Sequence, residues 1–158
     1  MTENKPSLLS FFAAVFILAF GLNFLWEMLQ MSAYAEMSGR SWRETAPACA
    51  LASMGDAALT LVIYWIGALV KRDWRWVMRG EWKSYMTAAI LAAGTAFVLE
   101  VAALATGNWS YINRMPVLPL FGVGLWPLLQ LTLLVPLTLW IAMWWVCKVN
   151  LRSETRGE

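Results

Sequence analysis

Apolar residues along this 158-residue chain fall into four long runs separated by short polar connections. Each run is longer than the roughly 20 residues a helix needs to cross a hydrocarbon core of about 30 Å. The first is expected from Leu8 to about Tyr34, and the second from about Pro47 to Val70. The third runs from about Ser84 to Thr106, and the fourth from about Leu120 to Cys147. Pro47 suits a first helical turn. Pro127 and Pro136 are expected to kink the fourth run. There is no internal repeat and no low-complexity tract. Residues 1–158 therefore read as one domain, all-α, an integral membrane four-helix bundle.

Polar residues interrupt this pattern at informative places. In "LNFLWEMLQMSAY", Asn23, Glu27, Gln30 and Tyr34 fall at i, i+4, i+7 and i+11, one stripe of a helix. Lipid would leave their hydrogen bonds unmade, so the stripe is expected to face other helices. Asp56 lies nine residues after Pro47, roughly 13 Å in from that end of the span. Glu100 lies seven residues before Gly107, about 10 Å in from the same side. Three carboxylates on three helices thus share one half of the bilayer, with Gln130 near mid-depth on the fourth. Taken singly, Asn23, Gln30 and Gln130 read as interhelical glue, at about 0.6 kcal/mol per hydrogen bond. The acids read differently, because a carboxylate at the membrane centre costs roughly 2.5–3.5 kcal/mol on insertion scales.

Composition supports the membrane class, with 60% hydrophobic residues and a mean hydropathy of +0.57. The 11 Trp fit residues that favour the bilayer interface. With 0 His, the commonest general base near neutral pH and the commonest metal ligand are both missing. Proton chemistry must then come from carboxylates, Tyr, Lys or Cys. Three clustered carboxylates cannot all ionise cheaply without a counter-charge. One is expected to be protonated, or a cation bound, or Arg114 folded in from the adjacent loop.

Charge placement gives an expected orientation. Lys5, Lys71, Arg72, Arg75, Arg79, Lys83, Lys148, Arg152 and Arg156 fall on one side, and Arg40, Arg43 and Arg114 on the other. The basic side is read as cytoplasmic, with both termini there, in a bacterial inner (cytoplasmic) membrane. "MTENKPS" does not look like a secretory signal, so the first helix is read as retained. Cys49 and Cys147 fall at opposite faces of the membrane and are not expected to pair. Trp74, Trp76 and Trp82, interleaved with five basic residues, read as an interface belt attracted to anionic lipid and not as a nucleic-acid site.

The connection "GNWSYINRMPVLPLFGVG" reads as a shaped lid over the acids. Pro116 and Pro119 stiffen it, Trp109 is an interface anchor or part of the lid, and Tyr111 can supply a hydroxyl. The glycosylation pattern at Asn108 is set aside as a chance match. The chain has no phosphate-cradling Gly loop, nucleophile elbow or zinc-spaced Cys cluster, so no cofactor and no metal site is expected.

The segments "NFLWEMLQMSAY", "MGDAALTLVIYW" and "GNWSYINRMPVLPLFGVGLWPLLQ" together resemble a group of small, uncharacterised bacterial four-span inner-membrane proteins. Locally, Glu100, Gly107, Trp109, Tyr111 and Pro116 resemble carotenoid hydratase-type and related isoprenoid-modifying membrane proteins. There a membrane Glu precedes a Gly, aromatic and Tyr turn and then Pro-rich sequence. That resemblance implies acid–base work on an isoprenoid. Sterol-isomerase-like bundles and small multidrug transporters are similar in general plan.

Three functions fit. In the first, Glu27, Asp56 and Glu100 act as acid and base to isomerise, hydrate or cyclise an apolar isoprenoid-like lipid. Asn23, Trp26, Gln30, Tyr34, Trp109, Tyr111, Arg114 and Gln130 would bind it. In the second, the acids serve a proton-coupled carrier of a cation or hydrophobic cation, helped by aromatic faces. In the third, the protein is a non-catalytic subunit of a membrane complex. Expected partners are membrane lipid, an apolar small molecule, and a second copy or a partner subunit.

Overall fold

The computed structural model describes residues 7–154, and the described residues form four helices. These are α1 (Leu8–Gln30), α2 (Trp42–Lys71), α3 (Trp82–Thr106) and α4 (Leu125–Glu154). All four contain a stretch long and apolar enough to cross a membrane, which makes this a multi-pass membrane architecture. Lys5 and Arg156 lie outside the described residues. Around the bundle, α1 packs between α2 and α4, α4 packs on α3, and α2 and α3 touch sparsely.

Three expected boundaries move, each for a local reason. The first helix stops at Gln30. A 3₁₀ turn over Met31–Ala33 follows, and Tyr34 is extended, paired with Tyr111 of the α3–α4 connection. The second helix begins at Trp42. The Glu44 carboxylate reaches back to the Ser41 N–H at 2.8 Å and satisfies an otherwise orphaned donor. Pro47 is therefore interior to α2 and not in its first turn. The fourth helix begins at Leu125, because Val117 pairs with Gly124 and holds the preceding residues in a turn. That places Pro127 in the first turn of α4, where no intrahelical N–H is lost, so it does not kink the helix. Pro136 is interior.

The bundle is packed through small side chains. On α3, Ser84, Ala88, Ala92, Ala96 and Glu100 recur every fourth residue and are all buried. Small residues in that register let backbones approach closely, which drives helix association where lipid is as apolar as the core. Large apolar residues such as Leu25, Leu51, Ile90, Val98 and Leu133 point outward. The polar residues Asn23, Thr60, Glu100 and Gln130 point inward.

The end of the bundle beside the α2–α3 connection is closed by Trp76, which is 3% exposed. Its indole N–H donates to the Tyr64 carbonyl at 3.2 Å, and the Ser84 hydroxyl donates to the Trp76 carbonyl at 2.8 Å. The Tyr64 hydroxyl donates to the Trp74 carbonyl. Trp76 is therefore a core plug and not part of an interface belt. Its ring fills the space left where α2 carries Gly67. Trp74 and Trp82 remain exposed, as a belt requires.

A Cβ at Gly67 would lie 2.3 Å from Cζ2 of Trp76, a rigid ring with no room to retreat. Gly67→Ala is expected to lower stability by about 1–3 kcal/mol through overpacking. Gly21→Ala, where nothing lies within 4 Å of the added carbon, is expected to be neutral or slightly stabilising. Thermal unfolding in detergent compares the two.

Candidate functional site

The site forms where α1 and α3 end and α2 and α4 begin. A cavity of about 390 Å³ lies there, walled by all four helices. Glu27, Gln30 and Tyr34 line it from α1 and the turn after it, and Asp56 from α2. Glu100 lines it from α3, Trp109 from the connection, and Gln130 from α4. Much of the remaining wall is apolar, including Met31, Ala52, Ala96, Leu99 and Leu131.

Gln130 ties this wall together. Its side-chain N–H₂ lies 2.9 Å from Asn23 Oδ1, 2.9 Å from Glu27 Oε1 and 3.0 Å from Asp56 Oδ2. Its carbonyl accepts from Gln30 Nε2 at 2.8 Å, and the same Gln30 nitrogen donates to Glu27 Oε1 at 3.1 Å. Trp26 Nε1 in turn donates to Gln30 Oε1 at 3.1 Å. Asn23 Nδ2 donates to the Ala19 carbonyl at 2.8 Å, which turns its oxygen toward Gln130. One amide therefore bridges two carboxylates on two helices from a third helix.

Glu100 is held separately, by the Tyr111 hydroxyl, which donates to it. The Gly124 N–H donates to the Tyr111 oxygen at 3.2 Å and fixes the phenol from behind. A Cβ at Gly124 would stand 2.9 Å from that oxygen, so only glycine fits there without displacing Tyr111. The indole N–H of Trp109 is buried beside Glu100 and Tyr111 without a well-formed hydrogen bond. Among the described residues, no three His, Cys, Asp or Glu side chains converge closely enough to hold a metal ion. The acids thus share a cavity without sharing a point.

The two connections at this end pair into a cover. The Ala35 N–H donates to the Ser110 carbonyl at 3.0 Å, and the Ile112 N–H to the Ala33 carbonyl at 3.1 Å. The Glu36 carboxylate accepts from the Ser110 N–H and hydroxyl, both at 3.0 Å. Tyr34 packs on Trp109 and Tyr111, with ring centroids 6.3 and 5.7 Å apart.

Of the residues expected from sequence, Glu27, Gln30, Tyr34, Asp56, Glu100, Trp109 and Gln130 line the cavity together. Asn23 lies beneath, behind Gln130, and Tyr111 closes on Glu100. Trp26 stands behind Gln30 with its ring against Trp126, off the cavity wall. Arg114 is exposed and does not line the cavity, so the side chain reaching Glu100 from this connection is Tyr111. The pairing of Tyr34 with Tyr111 aims residue 111 inward, and a guanidinium left in water avoids desolvation. Cys49, Ala52, Ala96 and Leu99 are wall residues that the sequence reading did not single out. Cys49 and Ala52 lie seven and four residues before Asp56, and Ala96 four before Glu100. Helical spacing from the acids would have found all three.

No family model matches the chain, and no curated protein or solved structure is similar to it beyond chance. The class that fold and site define is a multi-pass helical membrane protein with a carboxylate-lined internal cavity.

Replacing Gln130 by Leu strips donors from Asn23, Glu27 and Asp56 and the acceptor from Gln30 at once. The expected loss of stability exceeds the roughly 0.6 kcal/mol typical of one interhelical hydrogen bond in a membrane. Asn23→Leu, which removes one link to Gln130, should cost less. Unfolding in mixed detergent micelles measures both.

Burial, with Glu100 alongside, pushes the Tyr111 phenol from the ordinary 10.0 up to about 12. Burial and the nearby Glu100 push Tyr34 up as well. A raised folded value means that stability is fully present below the unfolded value and lost as pH climbs past it. Stability is therefore expected to fall from about pH 10 toward pH 12, and less steeply in Tyr111→Phe. Melting temperature against pH tests this.

Proposed function

We propose that this protein is a membrane enzyme that uses its intramembrane carboxylates as acid and base on an apolar, isoprenoid-like lipid. The reaction class is isomerisation, hydration or cyclisation. The observation that carries the reading is the pairing of Glu27 and Asp56 on one Gln130 nitrogen, at the wall of a largely apolar cavity. That nitrogen has two hydrogens for three oxygens within 3.0 Å, and Gln30 Nε2 supplies Glu27 with the further donor. Two carboxyls gathered on one amide in hydrocarbon do not both ionise cheaply without a counter-charge, so in this reading one of them carries a proton. A protonated acid beside an ionised one is the arrangement acid–base catalysis requires.

In this reading the protonated member of the pair delivers a proton to a substrate double bond. The ionised carboxylate, or Glu100 across the cavity, accepts one from the neighbouring carbon. Tyr111 orients Glu100. For isomerisation or cyclisation, the cover formed by residues 33–36 and 108–112 limits water, which protects a cationic intermediate from quenching. In this reading the termini and the Trp76 end face the cytoplasm and the cavity lies in the outer half of a bacterial inner membrane; the excess of Lys and Arg on the terminal side supports it.

A second reading, carriage of a hydrophobic cation, is favoured by Tyr34 and Trp109, whose aromatic side chains line the cavity beside the acids.

Purified protein incubated with a bacterial lipid extract, followed by mass spectrometry of the lipids, tests the first reading. One lipid species should shift by the mass of water, or change retention at constant mass. Glu27→Gln, Asp56→Asn and Glu100→Gln should each slow that conversion by about 10²–10⁴-fold. An unchanged extract, together with proton-coupled uptake of a cation by proteoliposomes, would replace the enzyme with the carrier. An unchanged extract with a co-purifying protein would make it a subunit.

A further inference from the structure

The acid cavity has walls that are also outer surface. Two groups of its lining residues are exposed: Glu36 and Asn108 at the cover, and Ala48 and Ala52 of α2 with Leu99 of α3. The second group flanks the seam between α2 and α3, which touch sparsely. A residue that faces both a cavity and the outside marks an opening, and at this depth the outside is lipid. Leu99, 45% exposed, also belongs to a second depression. That groove runs along α3 and is lined by Ile90, Leu91, Gly94, Thr95, Val98 and Leu99.

The groove has its own sequence logic. Gly94 lacks a side chain where its neighbours Ile90 and Val98 project outward, 68% and 64% exposed. Nothing lies within 4 Å of a Cβ built there, so the notch is open and no helix fills it. Thr95 would be polar in the groove, but its hydroxyl donates to the Leu91 carbonyl at 2.8 Å. The surface offered to lipid is therefore apolar. From Ile90 to Leu99 the groove is about 13.5 Å long at 1.5 Å per residue. That is close to half of the roughly 30 Å hydrocarbon core.

We propose that the cavity opens sideways to the bilayer between α2 and α3, and that the α3 groove over Gly94 seats the apolar tail of a single-chain, isoprenoid-like lipid whose reactive end enters at Leu99. The inference rests on the acid cavity being the site of that end. Continuity through Leu99 picks this occupant. A second helix laid on the groove would cover the seam, whereas a chain entering from lipid uses both features. Binding then runs parallel to the surrounding acyl chains, with the polar or unsaturated end at the carboxylates and the tail toward mid-membrane. A soluble ion or metabolite would have no use for the groove.

The test is photo-crosslinking in phosphatidylcholine vesicles doped with a prenol that carries a diazirine near its tail, with peptide mapping. Crosslinks should concentrate on the Ile90–Leu99 segment. In Gly94→Leu, which fills the notch without a clash, they should drop there about tenfold. Gly21→Leu, an equally open glycine on α1, should leave them unchanged. Crosslinks spread over all lipid-facing helices and indifferent to Gly94→Leu would overturn the proposal. So would crosslinks confined to residues 33–37 and 108–112, which mean entry through the cover. Crosslinking needs no turnover. Groove labelling without conversion of any lipid would retain this seat and reject the acid–base reading.

Discussion

A carboxylate placed in hydrocarbon must find a hydrogen-bond donor on another helix, and here Gln130 is that donor for two of them. Its amide joins Asn23 and Glu27 on α1 to Asp56 on α2, while its carbonyl takes the Gln30 N–H. The relative rotation of three helices is thereby fixed by one side chain. Any turn of α4 that removed Gln130 from the bundle centre would take the donor from Asp56 and leave Glu27 with Gln30 alone, which lipid punishes more than water does.

The rest of the bundle is arranged so that this network can exist. Close approach is needed, and the every-fourth-residue run of Ser84, Ala88, Ala92 and Ala96 supplies it on α3. At one end Trp76 seals the bundle against Gly67 with a large apolar ring. At the other end a cavity lies between the four helices. The seal there is polar and made of backbone, with residues 33–36 paired to residues 110–112. The two ends differ in kind, one a packed core and the other a covered chamber. That asymmetry sets the cavity end apart from the packed one.

Glycine marks three places where the chain needs an absent side chain for different reasons. Gly67 yields space to Trp76, and Gly124 yields space to the Tyr111 phenol that holds Glu100. Gly94 yields space to nothing in the protein, which is why it draws attention on a surface otherwise covered by large apolar residues.

Four membrane helices, the inward stripe of Asn23, Glu27 and Gln30, and the common depth of three acids were legible in the sequence. They depend on hydropathy, on the 3.6-residue turn and on the 1.5 Å rise, which are local properties of the chain. The lid over the acids was legible in outline, because its Pro and Gly content interrupts two apolar runs. The burial of Trp76 and the exposure of Arg114 were not, because composition assigns Trp76 to the interface and charge balance draws Arg114 toward the acids, and only their packing neighbours decide otherwise. Helix starts were misplaced at Pro47 and Leu120, where a Glu44 cap and a Val117–Gly124 pairing override the apolar pattern. The sequence by itself determined which residues must avoid lipid. Only the tertiary structure decided which partner each one meets: Gln130 between Glu27 and Asp56, and Tyr111 on Glu100. Those pairs lie 74 to 103 residues apart in the first case, and in the second they join a helix to a connection. Spacing along one helix carries no information about the rotation of the next.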